Sequence, residues 1–181
     1  METITAEDLE QKDFPEIKWA VPNLLPEGLT ILAGRPKRGK SWLGLGLALA
    51  VASGGKALGT IDVEKGNALY LALEDNERRL KNRLACLKEP SLKLPPQLHL
   101  VTNFLPLQMG GLQTLTDWLD KHPKTRLVVI DTLGRILPSN KGKSNQFVDY
   151  FQRQPSSIKF FPPLTNRSRP GDIISNKKPI S

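Results

Sequence analysis

Gly34, Gly39, Lys40 and Ser41 fall in the order Gly-x-x-x-x-Gly-Lys-Ser, within the stretch "GRPKRGKSW". These residue types at this spacing suit the cradling of phosphates. Glycines let the backbone curl with its N–H groups pointing inward. A helix beginning at Lys40 adds the positive end of its dipole. The Lys40 ammonium can reach the outer phosphates, and the Ser41 hydroxyl can meet Mg2+. Arg35, Pro36, Lys37, Arg38 and Trp42 complete the candidate binding run. The charges of Arg35, Lys37 and Arg38 suit a solvated loop tip equally well. The expected ligands are ATP and Mg2+.

Two acidic positions extend the chemistry. "RLVVIDTL" (126–133) is an apolar run reaching Asp131, a Walker B pattern that sets a carboxylate beside the magnesium. "LALED" ends in Glu74 and Asp75 just before a helix signal. Glu74 can orient and polarise an attacking water. Alternatively, Glu74 and Asp75 cap the helix and complement its dipole. Residue chemistry leaves these two uses level.

The positioning elements follow from hydrophobic pattern. "LTILAG" (29–34) reads as a buried strand, continuous in apolar residues. Residues 40–53 read as a helix. Its Gly44 and Gly46 each cost up to about 1 kcal/mol against Ala, which close packing on a strand would explain. Residues 56–66 read as a loop and 67–74 as a second buried strand. Residues 75–87 are helical, with Leu80, Leu84 and Leu87 on one face and Asp75 as N-cap. A strand at 98–102, a helix at 112–121 and a strand at 126–133 complete the series. This alternation predicts an α/β fold, a mainly parallel sheet flanked by helices. Residues 1–13 read as a flexible lead-in, 14–150 as the core and 151–181 as an irregular basic tail. "QFVDYFQRQ" within 146–154 has the makings of a short helix.

The chain has 181 residues, 39% hydrophobic and 6% aromatic, consistent with one domain and a lean core. The polar start "METITAEDLEQKDF" does not read as a secretory signal. The apolar stretch Trp42–Ser53 is too short for a bilayer. Cys86 is the single cysteine, which excludes an internal disulfide and a cysteine-rich metal site. A cytoplasmic location is expected, with no membrane partner. The net charge of +8 is uneven: residues 1–134 hold 17 Lys/Arg and 16 Asp/Glu, and residues 135–181 hold 9 and 2. A basic tail suits nucleic acid. It equally suits a polar tail without a partner.

Three stretches together, "VPNLLPEGLTILAGRPKRGKSWLGLGLALAVA", "ALYLALEDNERRLKNRL" and "LVVIDTLGRI", resemble the RecA-like ATPases of plasmid and phage replication. The nearest likeness is to the RepA-type hexameric replicative helicases, relatives of the DnaB helicases. The resemblance covers about residues 14–150. It implies a RecA-like P-loop fold, ATP hydrolysis with Mg2+, single-stranded DNA as partner and a homo-hexamer. It also implies that Glu74 activates water and that Asp131 is the magnesium-associated aspartate. By the same resemblance Trp19 lies near the base or a neighbouring subunit, though a buried anchor is the plainer role.

Past about Tyr150 the resemblance stops. No polar sensor after Asp131 and no arginine finger can be assigned, although Arg153, Arg167 and Arg169 are present. His99 and His122 precede Asp131 and read as ordinary strand and surface residues. The loss of periodicity, with five prolines after residue 154, leads to the expectation of a truncated or frame-shifted family member with impaired turnover. Three other readings stand beside the motor. One is a non-catalytic nucleotide-binding subunit that joins, or poisons, full-length hexamers. Another is a small-molecule P-loop kinase using Arg78, Arg79 and Arg83. The last is a simple DNA-binding protein, which rests only on the basic tail.

Overall fold

The computed structural model describes residues 3–137. In chain order these form α1 (Ala6–Glu10), a ribbon of β1 (Trp19–Val21) and β2 (Leu25–Pro26), α2 (Lys40–Ser53), a hairpin of β3 (Lys56–Ala57) and β4 (Ile61–Asp62), β5 (Asn67–Ala72), α3 (Glu77–Leu87), β6 (Leu98–Val101), α4 (Gly111–Lys121) and β7 (Thr125–Asp131). The three longest strands make one parallel sheet in the order β6-β5-β7. The fold class is therefore α/β, as the alternation predicts.

Side-chain alternation along β5 divides the core into two layers. Ala68, Tyr70 and Ala72 face α2, where they meet Leu45, Ala48, Val51 and Ala52, with Leu80 and Leu84 of α3 alongside. Leu69 and Leu71 point the other way, onto Leu115 and Trp118 of α4. In β7, Leu127 and Val129 join the first layer, and Val128 and Ile130 the second. A central parallel strand must be apolar on both faces because helices cover both, and "NALYLA" meets that demand.

Helix α2 starts at Gly39, whose φ of 83° lies in the left-handed region. A Cβ there would meet nothing, so the backbone conformation alone asks for glycine. Gly44 has a different reason. A Cβ on it would lie 3.2 Å from Val129 Cγ1 and 3.6 Å from a ring carbon of Tyr70, so α2 rests directly on β5 and β7. Gly46 faces α3 instead, with Leu87 the nearest neighbour. Gly44→Leu should therefore lift α2 off the sheet and lower stability by roughly 1–3 kcal/mol, read by urea denaturation. A loss below about 0.5 kcal/mol would mean that the close approach is not needed.

Several boundaries depart from the sequence reading. The first expected strand is absent: residues 29–34 are in neither helix nor strand. Leu29, Ile31 and Leu32 are 54%, 52% and 54% exposed. Hydrophobicity selects a strand only where a neighbour supplies the ladder of hydrogen bonds. Here β5 is paired on both sides, and the outer edge of β7 takes no strand among the described residues. The run 67–74 is strand only to Ala72, and 126–133 becomes Thr125–Asp131. Helix α3 is capped by Asn76, whose side chain accepts from Arg79 N at 2.9 Å, and not by Asp75. The Asp75 carboxylate is turned to Arg79 and Arg83. The expected loop 56–66 holds the β3–β4 hairpin, and the lead-in holds α1, which buries no residue. His99 and His122 are half-buried and pack with Trp118, whose ring stacks on His122 at 4.0 Å. The basic tail and its expected helix lie outside the described residues.

Candidate functional site

Register places the acidic positions. Ala72 pairs with Asp131, so β5 and β7 finish at one level. Glu74 follows two residues later, off the same carboxyl end of the sheet. Ligands of open α/β sheets gather at that end. The N-terminus of α2 reaches it as well. The hydroxyl of Tyr70 lies 2.6 Å from Asp131 Oδ2 and 3.2 Å from the Ser41 carbonyl oxygen. One phenolic oxygen thus joins Asp131 to the first turn of α2.

Burial, then the bond to Asp131, pushes the Tyr70 hydroxyl above the ordinary phenol range. It stays protonated and serves as the donor. Tyr70 was hidden in the sequence because "NALYLALE" reads as a buried apolar run. The available signal was a hydroxyl in a strand that must be covered on both faces. Such a group needs a partner, and a nearby Asp is the natural one.

The loop before α2 borders an open cavity of about 410 Å³ lined by Leu32, Ala33, Gly34, Arg35, Arg38, Gly39, Lys40 and Leu43. The Lys40 ammonium donates to the carbonyl oxygens of Gly34 at 2.7 Å and Arg35 at 2.8 Å. It therefore ties the loop to the helix start while lying at the cavity wall. Lys37 adopts φ 62°, a left-handed turn residue. Trp42, one residue past Ser41, is turned toward α3, with the Arg83 guanidinium 5.5 Å from its ring centre. Of the run expected to bind nucleotide, Pro36, Lys37, Ser41 and Trp42 do not line the cavity.

Glu74 is exposed, and Arg135 Nε lies 3.8 Å from its carboxylate. Neither residue lines the cavity. Asp75, by contrast, is buried, its side chain 5% exposed, and it binds both Arg79 and Arg83. Of the three arginines the kinase reading would use, Arg79 and Arg83 pair with Asp75. Arg126 bridges Glu64 at 2.8 Å and the Trp19 carbonyl at 2.9 Å, which anchors the β1 ribbon to β7. Trp19 is half-buried at that contact.

Ser41 and Asp131 offer a hydroxyl and a carboxylate, both hard oxygen donors. That small set suits Mg2+, which keeps several waters and relies on phosphate oxygens for the rest. Among the described residues no group of three or more His, Cys, Asp and Glu is disposed to hold a metal ion.

A family model described as an AAA domain matches residues 1–154. The chain belongs to that family. As an AAA-domain protein it is a P-loop ATPase, and its α/β sheet with flanking helices agrees with that class. No curated protein and no solved structure matches the chain. No helix among the described residues of this AAA-domain protein is long and apolar enough to cross a membrane.

Proposed function

We propose that the chain is an ATPase of the replicative-helicase type, hydrolysing ATP with Mg2+ in the cytoplasm and acting on single-stranded DNA. The observation that carries the ATPase chemistry is that Tyr70 links Asp131 to the backbone of Ser41, at the start of the helix that follows the loop Gly34–Lys40. The helicase type rests on the sequence resemblance, which the AAA-domain match accommodates at the coarser level.

In this reading the loop N–H groups and Lys40 hold the β- and γ-phosphates. Lys40 exchanges its bonds to Gly34 O and Arg35 O for phosphate oxygens. Ser41 and Asp131 would hold the cation. When bound, Mg2+ supplies positive charge to the phosphate oxygens as the γ-phosphoryl group departs. Glu74 leaves Arg135, accepts a hydrogen bond from the attacking water and orients it. Assembly into a hexamer, alone or with a homologue, supplies the neighbouring subunit.

A second reading is a nucleotide-binding subunit without turnover of its own, favoured by the position of Glu74 beside Arg135 and outside the cavity. Steady-state ATP hydrolysis by the purified chain, with and without single-stranded DNA, separates the two. Stimulation by DNA of about tenfold or more is the outcome expected of the motor. Mg·ATP binding with no turnover under either condition would select the silent subunit. Failure to bind nucleotide at all would remove both readings.

A further inference from the structure

We propose that Tyr70 is a positioning residue: it holds one oxygen of the Asp131 carboxylate, leaving the other for the divalent cation that accompanies the nucleotide. The inference rests on the reading above, in which Ser41 and Asp131 take Mg2+.

Tyr70 is fully buried in the central strand and is the largest side chain so enclosed among the described residues. A hydroxyl in such a place needs a partner, and its nearest is Asp131 Oδ2 at 2.6 Å. The contact is a short hydrogen bond to a carboxylate, among the stronger kinds. A phenol has one proton to give. At 2.6 Å against 3.2 Å that proton goes to Asp131, and the Ser41 carbonyl receives the lesser share. Among the described residues Asp131 Oδ1 accepts no hydrogen bond.

The ring is packed on two sides. Tyr70 pairs with Val129 across the sheet, and α2 sits on its edge where Gly44 has no side chain. One rigid group therefore fixes the Asp131 carboxylate relative to the helix start that carries Ser41. Lys40 and the loop amides handle phosphate; Tyr70 handles the geometry of the cation site. A hydroxyl that merely satisfied the core would affect stability and leave metal dependence untouched.

The test is nucleotide affinity measured calorimetrically on the full chain, with Mg2+ and with EDTA, beside thermal unfolding. The proteins are the unsubstituted chain, Tyr70→Phe, Asp131→Asn and the double variant. The unsubstituted chain should bind more tightly with Mg2+. Tyr70→Phe should keep its affinity in EDTA within about twofold and lose about tenfold of the Mg2+-dependent gain. The double variant should match Asp131→Asn, because Tyr70 acts through that carboxylate. An undiminished Mg2+ gain in Tyr70→Phe overturns the proposal, as does a double variant that loses gain beyond Asp131→Asn. If Tyr70→Phe does not fold, the comparison of Asp131→Asn with the double variant still decides. If the unsubstituted chain gains nothing from Mg2+, the cation reading of Asp131 is itself wrong and the proposal falls with it.

Discussion

Glu74→Gln should leave Mg·ATP affinity within a few-fold of the unsubstituted chain and lower turnover by about 10²–10⁴-fold, the span expected when a positioned general base is removed. The structure gives a reason to expect this split. Glu74 lines none of the cavity formed by the phosphate loop, so it contributes little to holding the ligand. It follows the end of β5, whose Ala72 pairs with Asp131, so it stands at the carboxyl end of the sheet. Its contact with Arg135, between side chains 57% and 64% exposed, is an ion pair of a kind that contributes little and yields readily. Single-turnover hydrolysis and calorimetry, run together, provide the check. A glutamine variant with full turnover would return Glu74 to the role of a helix-end charge.

Lys40→Ala is expected to weaken ATP binding by about 100-fold or more, read by displacement of a fluorescent nucleotide. Two losses combine. The ammonium's charge-assisted bonds to phosphate disappear, each worth about 1.5–3 kcal/mol. The loop also loses its tie, since Lys40 bonds the carbonyls of Gly34 and Arg35. Those bonds are exposed, so the melting temperature should barely move. Lys40→Arg separates the two losses: it keeps a cation but spreads it over a planar group that does not fit the same pair of carbonyls. Unchanged affinity in Lys40→Ala would mean that the cavity beside Gly34–Leu43 is not the phosphate site.

The elements legible in the sequence were those whose stability is local or doubly buried. Helix α2 matched its expected span because an unbroken apolar run follows a glycine able to take a positive φ. Strands β5 and β7 were legible from continuous apolar residues, and Leu80 and Leu84 from their helical spacing. The run Leu29–Ala33 is nearly continuous in apolar residues, as β5 is, and yet forms no strand. What differs is the neighbour, and no window of sequence contains the neighbour. Asp75 shows the same limit at the level of one side chain. It looked like a cap because it precedes a helix; Arg83, eight residues on, outcompeted the backbone for its carboxylate. The phosphate loop was legible as a motif, whereas the contact of Tyr70 with Asp131 spans 61 residues and depends on strand register.

The buried anchor at Asp75 bears on how Glu74 can move. Asp75 is held by Arg79 and Arg83 with its carboxylate almost wholly enclosed, and Leu73 N donates to Asp131 O at 2.6 Å on the other side. The backbone flanking Glu74 is thus restrained on both sides. Bringing the carboxylate from Arg135 to a water requires rotation about side-chain torsions and no ordering of a loop. Ordering a loop costs about 1–2 kcal/mol for every residue fixed, whereas fixing one glutamate side chain costs at most about 2 kcal/mol. If Glu74 is the base, most of the entropy of placing it was spent when the chain folded.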